Sequence, residues 1–351
     1  MKNYGTFNAG IVGQNAGVSG IARFNDSNRV RRFSDDAIAS GGAFLVSELE
    51  KRDPKVREPL TSITYTRDVP IKVGGGWVEY VSAMDIDFGV TGGSGNGTVS
   101  APGANGFPIV QMNLGKDTFG AHVFSTILRV PFVDMNRQQL TGKSLDALLT
   151  DGIRLAYDKH MDANAYVGLS DYGTTGLLNN ANVTAAYVAN NAGGTSRKWE
   201  DKTADEILAD VNGAVLAVWA AAQYDLSALP NHVLIPHAQY NILATTKVSQ
   251  YADKTILEFL LDNNIAKRNG KSLVIAACPW CTGAGAGGSD RMVVYCHNEK
   301  FLALEELVSL HRAMTHPNVE ALAYDSVYMA NISELELFYT QTIRYADGIE
   351  L

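Results

Sequence analysis

Between residues 141 and 168, apolar side chains recur at intervals of three and four positions, the spacing of one face of an α-helix. The apolar positions are Leu145, Leu148, Leu149, Ile153, Ala156, Tyr157 and Met161. Thr141 or Ser144 can cap the start of this helix, and Gly168 can follow its end. About 25 residues at 1.5 Å per residue give a predicted amphipathic helix roughly 37 Å long.

Alternating apolar and polar positions predict β-strands on the N-terminal side of this helix, within residues 60–135. The segment Trp77–Val81 alternates, and Phe107–Leu114 does so more loosely. The glycine-dense tract 88–106 lies between them and cannot bury a core of its own. We therefore expect a long β-hairpin with this tract at its tip, followed by another strand over Ala121–Val133 that ends near the next residue.

The chain on the C-terminal side of the long helix predicts a mixed α/β segment. A capping box formed by Thr203 and Glu206 begins a second helix, which extends to Gln223. The other predicted elements here are a strand at His232–Pro236, helices at His237–Thr245 and Ala252–Lys267, and strands at Leu273–Ala277 and Arg291–Cys296.

Strand-like alternation returns at the end of the chain, and the last strand has the pattern of a sheet edge. These predicted strands are Phe301–Val308, Ala321–Met329 and Glu334–Tyr345. The simplest closure pairs them with residues 60–135 beneath the long helix. The predicted fold class is therefore α+β, with residues 170–310 inserted as an α/β domain.

Residues 1–60 lack the periodicity of a core and are rich in Gly, Asn and Ser. They predict either an extended arm that docks on a neighbouring molecule, with one short helix near residues 35–50, or a disordered tail. Arg23, Arg31 and Arg32 could contact packaged nucleic acid, or could pair with nearby carboxylates on the surface.

Composition narrows the function classes for this chain of 351 residues, whose formal net charge is -8. Surfaces that coat nucleic acid or bind anionic membranes are rich in Lys and Arg, so both roles are disfavoured. No apolar run approaches the about 20 residues that span a bilayer, and the N-terminus lacks the apolar region of a signal peptide. We therefore expect no membrane contact and synthesis in the cytoplasm.

The sharpest candidate for chemistry is Cys278-Pro-Trp-Cys281, which with Cys296 and His297 supplies four donors for a zinc ion. Neighbouring residues on a strand point to opposite faces, which disfavours Cys296 and His297 sharing one metal. Redox use of the cysteine pair needs a helix after it, whereas the glycine loop Gly283–Gly288 follows. The simpler alternative is that the thiols are small buried side chains, and no catalytic residue, cofactor or metal is predicted.

Two segments carry a resemblance to a known family. The helix SLDALLTDGIRLAYDKHMDANAYVG runs into DYGTTGLLNN, whose Gly-x-x-Gly-Leu-Leu-Asn turn is similar to the exit from the spine helix of tailed-bacteriophage major capsid proteins, the HK97-like family. The stretch LPNHVLIPHAQYNILAT resembles a strand and helix of that family's apical domain, and residues 291–351 resemble the returning strands of its peripheral domain.

The resemblance implies an HK97-like capsid fold with an N-terminal arm, an extended β-hairpin loop, a long spine helix and an inserted α/β apical domain. The implied segments are 1–60 for the arm, 78–128 for the extended loop, 61–77, 129–170 and 311–351 for the peripheral domain, and 171–310 for the apical domain.

The resemblance also implies a structural shell protein of the virion, not an enzyme. Copies would form the hexamers and pentamers of an icosahedral shell that loosely encloses double-stranded DNA, with a portal and scaffolding or decoration proteins as further partners. The expected contacts between subunits are Phe88, Val90, Val99 and Phe107 of the loop and Arg23, Arg31 and Arg32 of the arm.

Two departures from the family limit what the resemblance implies. The glycine-rich tip has no Lys, so we do not expect the Lys–Asn crosslink that some members form between subunits. The predicted strands begin by residue 60, so we expect any scaffold to be a separate protein or already removed.

Three alternative functions stay open at this point. One is an encapsulin-type compartment shell of the same fold that holds cargo enzymes. Another is a thiol- or zinc-dependent enzyme that uses Cys278, Cys281, Cys296 and His297. The third is a different virion or tail component that forms rings.

Overall fold

The strands of the described chain form two β-sheets, one of six strands and one of five. The computed structural model describes residues 61–91, 109–141, 145–249 and 253–350. The predicted arm with its short helix, residues 92–106 of the predicted hairpin tip and the candidate cap Ser144 lie outside these residues. Residues 88–91, predicted as the start of the tip, continue a strand instead.

The strands are β1 (Ile71–Val73), β2 (Tyr80–Thr91), β3 (Ile109–Pro131), β4 (Thr184–Tyr187), β5 (His232–Ile235), β6 (Val274–Ala277), β7 (Arg291–Tyr295), β8 (Leu302–Asn318), β9 (Ala323–Ser333), β10 (Glu336–Leu337) and β11 (Ile343–Asp347). The helices are α1 (Tyr65–Asp68), α2 (Phe132–Thr141), α3 (Leu145–Tyr166), α4 (Ala204–Ala221), α5 (His237–Thr245), α6 (Ile256–Asp262) and α7 (Ile265–Arg268).

The six-stranded sheet has the order β1-β8-β9-β3-β2, with β10 added beside β8. Strand β3 pairs antiparallel with β9 along its C-terminal half and with β2 along its N-terminal half. Strand β1 runs parallel to β8. The predicted pairing of early strands with late strands is therefore confirmed for β8 and β9, and β2 and β3 form the two arms of the predicted hairpin.

The long helix predicted from the apolar spacing is confirmed as α3, and it packs against β3. Tyr157 of α3 meets Phe124 of β3 edge to face, with the ring centroids 5.4 Å apart. Met161 and Tyr166 continue the buried face of α3 into a core that also contains buried residues of both sheets. One hydrophobic core therefore extends from the six-stranded sheet to the five-stranded sheet.

The chain leaves α3 through the glycine turn that carried the family resemblance. Gly168 and Gly173 adopt φ of 79° and 69°, the left-handed region that favours glycine. Leu177 and Leu178 then turn into the core. Asn179 closes the turn, because its Oδ1 accepts from Gly176 N at 2.7 Å and its Nδ2 donates to Val167 O at 2.7 Å.

The five-stranded sheet has the order β4-β11-β7-β5-β6 and packs against α4. The predicted capping box begins α4, since the Thr203 side chain accepts from Glu206 N and the Glu206 carboxylate accepts from Thr203 N. Val211, Val215 and Val218 of α4 are buried in the cluster that covers this sheet. The predicted strands β5, β6 and β7 and helix α5 are all confirmed, within about one residue at each end.

The final strand contradicts the prediction in length and in place. Residues 334–345 do not form one edge strand, because a 3₁₀ turn at Thr340–Thr342 separates β10 from β11. Strand β11 lies inside the five-stranded sheet, parallel to β4 and antiparallel to β7. Its Asp347 is buried and accepts two hydrogen bonds from Arg291 of β7, at 2.7 and 2.9 Å. The end of the chain therefore pairs with the middle segment and not with residues 60–135.

Several other element boundaries were predicted wrongly. Strand β8 extends to Asn318, ten residues beyond the predicted end at Val308, and β2 begins at Tyr80 and not at Trp77. Thr141, a candidate cap of the long helix, is instead the last residue of α2.

The single helix expected over Ala252–Lys267 is two short helices, because Asn264 caps α7 through Lys267 N and donates its own amide to Leu260 O. The strand expected to reach Val133 ends at Pro131, and α2 begins at the next residue. Proline carries no N–H for a sheet ladder, which explains why the strand stops there.

Candidate assembly surfaces

The hairpin formed by β2 and β3 has one apolar face. In the antiparallel register, Ile86 lies opposite Leu114, Phe88 opposite Met112 and Val90 opposite Val110. Directly opposed residues share a face, and positions two apart along a strand share it too. Ile86, Phe88, Val90, Val110, Met112 and Leu114 therefore form a continuous surface, which we name the apolar hairpin face.

The opposite face of this hairpin is polar over the same length. Asp87 lies opposite Asn113, Asp85 opposite Gly115, and Gly89 opposite Gln111. On the apolar face, by contrast, Phe88 is 66% exposed and Met112 is 56% exposed. A contiguous, exposed apolar surface backed by a polar one is typical of an interaction site.

The hairpin leaves the sheet at a well-fixed point. Gly120 N donates to Glu334 Oε1 at 2.8 Å, and Glu334 N donates to Gly120 O at 3.0 Å. The Asn331 side-chain amide donates to Gly76 O and Val78 O just before β2 begins, at 3.2 and 3.0 Å. These bonds anchor both strands of the hairpin at the position where it parts from β9.

A second feature is a buried polar junction between α3 and the segment that begins α1. Asp162 Oδ1 accepts from Thr64 N at 2.8 Å and Tyr65 N at 3.0 Å, which caps α1. Asp162 Oδ2 accepts from Trp280 Nε1 at 2.6 Å. Asp162 thus holds three segments together: the start of α1, the long helix α3 and the Cys278–Cys281 loop.

Asp68 completes this junction from the other side of α1. Its carboxylate accepts from the Tyr166 hydroxyl and from Arg67 Nε, the latter at 2.6 Å. Its backbone carbonyl accepts from the Tyr295 hydroxyl at 2.6 Å. Burial is the largest cause that raises the pKa of Tyr166 and of Tyr295, so both hydroxyls stay protonated and donate. The junction therefore ties α1 to α3 and to β7.

The structure separates the four predicted thiol and imidazole donors. Cys278 and Cys281 are buried and hydrogen-bonded to each other, which lowers the pKa of Cys278 and raises that of Cys281. Cys296 lies in a different cluster, with Ala228 and Phe301. His297 stacks on His232, with the ring centroids 4.4 Å apart.

These positions do not assemble a metal centre. Across the part of the chain that the structure describes, no group of three or more His, Cys, Asp or Glu residues is arranged to hold a metal ion. Only a single 3₁₀ turn, Pro279–Cys281, follows Cys278, so the helix that thioredoxin-like chemistry needs is not formed here. The helices of the described ranges include none with the length and apolarity needed to cross a membrane.

Of the residues predicted to contact other subunits, the structure places two. Phe88 and Val90 are exposed on the apolar hairpin face. Val99, Phe107, Arg23, Arg31 and Arg32 lie outside the described residues. Sequence reasoning missed Ile86, Val110, Met112 and Leu114, although the alternation of Met84, Ile86, Phe88 and Val90 in the sequence marks one strand of this face.

Comparison with known protein families identifies one matching family. A family model described as "Major capsid protein" matches residues 96–349. A comparison with curated protein sequences finds no match.

Solved structures with a similar fold include two whose titles name a capsid. "The capsid of Myoviridae Phage XM1" matches with a TM-score of 0.71 and 14% identity, over 86% of this chain and 98% of that chain. The capsid of the native GTA particle matches with a TM-score of 0.57 and 13% identity, over 90% and 100% of the two chains. A structure titled "Microbacterium phage Oxtober96" matches with a TM-score of 0.57 and 12% identity, over 88% of this chain and 98% of that chain. These likenesses show a shared mixed α+β fold.

Proposed function

This chain belongs to the major capsid protein family and is a structural, non-enzymatic subunit of a capsid shell; from that premise we propose that its copies form the hexamers and pentamers of an icosahedral virion shell around double-stranded DNA. The apolar hairpin face carries this proposal. No other described residue covers this face, and a second copy of the chain is the partner present in highest number in any shell.

The proposed contact lays the apolar hairpin face over an adjacent subunit. Full burial of one side chain such as Phe88 or Met112 contributes about 1.5–3 kcal/mol relative to leaving it exposed. Burial of the six side chains of the face opposes the loss of conformational freedom that ordering the hairpin costs. Each contact repeats at every subunit, so modest contacts add up to a stable shell.

The proposed division of the chain keeps the extended loop at residues 78–128 and the apical domain at 171–310. Residues 61–77 and 129–170 form the peripheral domain, with α3 as its spine helix. The family resemblance placed residues 311–351, which include β11, in the peripheral domain. We now assign β11 to the apical domain and leave the rest of this range in the peripheral domain. The pairing of β11 with β4 and β7 supports this change.

Net charge supports a loose relation to the enclosed DNA. A formal charge of -8 per copy gives no general attraction to phosphates, so DNA can enter and leave without binding tightly to the wall. We include a portal, and scaffolding or decoration proteins, as further partners on the strength of the family resemblance. Synthesis in the host cytoplasm before assembly completes the proposal.

The test of the hairpin contact compares two variants that each add one carboxylate to the hairpin. Phe88→Glu places it on the apolar face, and Gln111→Glu places it on the polar face. We expect Phe88→Glu to abolish or strongly reduce shell formation in sedimentation and electron microscopy, because it puts a charge into a buried contact. Gln111→Glu should assemble like the unmodified chain.

Circular dichroism of the two variants shows whether the subunit is intact. The hairpin face packs on nothing else in the described chain, so both variants should keep native secondary structure. Equal assembly of Phe88→Glu and Gln111→Glu would show that the apolar face is not an interface, and the proposed contact would be wrong.

A further inference from the structure

A buried carboxylate lies beside the point where the hairpin leaves the sheet. Glu336 of β10 is 1% exposed and pairs with Ala303 of β8. Within the described residues, neither of its carboxylate oxygens has a hydrogen-bond partner. The nearby Ser333 hydroxyl donates to Glu334 O at 2.8 Å and accepts from Glu305 N at 2.9 Å. Its proximity to the Glu336 carboxylate lowers the pKa of Glu336, but by less than burial raises it. A buried, unpartnered carboxyl group is costly when charged.

The charged groups around Glu336 are mostly acidic. Glu305 of β8 and Glu334 repel a negative charge on Glu336, and Lys72 of β1 attracts it. Lys72 is shared, however, because it lies 3.6 Å from Glu305. A Cβ atom on Gly120 would lie 3.4 Å from His122 Nε2 and 4.0 Å from Glu334 Oε1, so this imidazole faces the same corner. Burial first, and then the charge of Glu305, raise the pKa of Glu336 to about 7.

The segment that carries Glu336 also holds the hairpin. Glu334 exchanges two hydrogen bonds with Gly120. Phe338 meets Phe119 of the hairpin edge to face, with the ring centroids 5.6 Å apart. We name Phe119, Gly120 and the segment 334–338 the hairpin root. Any movement of Glu336 towards water displaces the same segment that anchors the hairpin.

We propose that the hairpin root is a proton-controlled hinge: protonated Glu336 keeps the root closed, and ionised Glu336 loosens it and frees the hairpin to change its angle. This inference rests on the proposed function, in which the hairpin lies over a neighbouring copy. It adds a control on when the hairpin is fixed in place and when it can swing.

The direction of the pH effect follows from the two states of the root. Opening exposes Glu336 to water, where its pKa returns towards the usual 4.5, whereas the closed root holds it near 7. The closed root binds the proton more tightly, so it is favoured at low pH. As pH rises, its stability relative to the open root falls. The change begins above the lower pKa and levels off above the higher one.

The experiment is amide hydrogen exchange of the full chain, corrected for intrinsic exchange rates, with the Gly120 amide as the direct reporter. In the unmodified chain we expect protection at this amide to fall by up to about tenfold between about pH 6 and about pH 8, the limit set by the two pKa values. Glu336→Gln, which cannot ionise, should show the same protection at both pH values. Glu299→Gln, an exposed site, should behave like the unmodified chain.

A second variant covers the case in which Glu336→Gln fails to fold. Glu305→Gln removes the charge that repels ionised Glu336 most strongly, so it should reduce the pH effect and leave the root closed over a wider pH range. Protection at Gly120 that is independent of pH in the unmodified chain, or a pH effect in Glu336→Gln as large as in the unmodified chain, would overturn the hinge. Failure of the unmodified chain to form shells at either pH would instead contradict the proposed function.

Discussion

Gly176 shows what a single residue contributes to the turn after α3. A Cβ atom there would lie 2.3 Å from the carbonyl carbon of Tyr166 and 2.4 Å from Val167 N, both of them backbone atoms. The sequence identified the Gly-x-x-Gly-Leu-Leu-Asn turn by its resemblance but gave no reason for its second glycine. The reason is the close approach of two backbone segments, which no local pattern reveals because the segments are brought together by the packing of Leu177 and Leu178.

Gly176→Ala is therefore expected to destabilise the subunit by about 3 kcal/mol, because neither backbone segment can move away without disturbing the core. The control is Gly213→Ala in α4, where an added Cβ meets no atom within 4 Å. In a helix interior that change should stabilise by about 0.5–1 kcal/mol. Urea unfolding of the unassembled subunit measures both, and equal midpoints for the two variants would contradict the packing argument.

At the scale of elements, the start of α4 and the end of α3 were predicted well because each carries a local chemical signal, whereas the capping box of Thr255 and Glu258 at the start of α6 was overlooked. The capping box at Thr203 and the glycine after α3 are local, and both were read correctly. The place of β11 was not local, because alternation along a strand says nothing about which strand lies beside it. The thiol and imidazole candidates illustrate the same limit: Cys278 and Cys281 are local neighbours and touch, whereas Cys296 does not join them.

The ends of β5 and β7 bring two histidines together, and this gives the five-stranded sheet a predicted pH dependence. Burial first, and then the adjacent His297, lower the pKa of His232 to about 4. The unfolded chain binds the proton more readily than the folded one, so stability falls as pH drops from about 6.5 towards about 4, by roughly 1–3 kcal/mol. His232→Phe should flatten this slope in urea unfolding measured across that range.

His237→Phe supplies the control, since His237 is exposed at the start of α5. It makes the same chemical change without touching the stacked pair, and its pH slope should match that of the unmodified chain. If His232→Phe retains the full slope, acid sensitivity resides in other groups and the argument from the stacked pair is wrong.

At the scale of the whole molecule, the α+β class, the long helix and the family were within reach of the sequence, because each depends on pattern or on a short motif. The register of β2 with β3 could not be predicted from the sequence, and therefore the apolar hairpin face could not be predicted either. Val110, Met112 and Leu114 join Phe88 on one face only once the pairing is known. The described residues thus combine a buried hydrophobic core with an exposed apolar surface on the hairpin. That combination is expected of a part made for assembly.

The most direct test of this account is the assembly state of the purified full-length chain, measured by sedimentation velocity together with negative-stain electron microscopy. The account predicts closed shells, or hexamers and pentamers on the way to them, that dissociate in Phe88→Glu and not in Gln111→Glu. A compact monomer that stays monomeric at high concentration would contradict the assembly proposal.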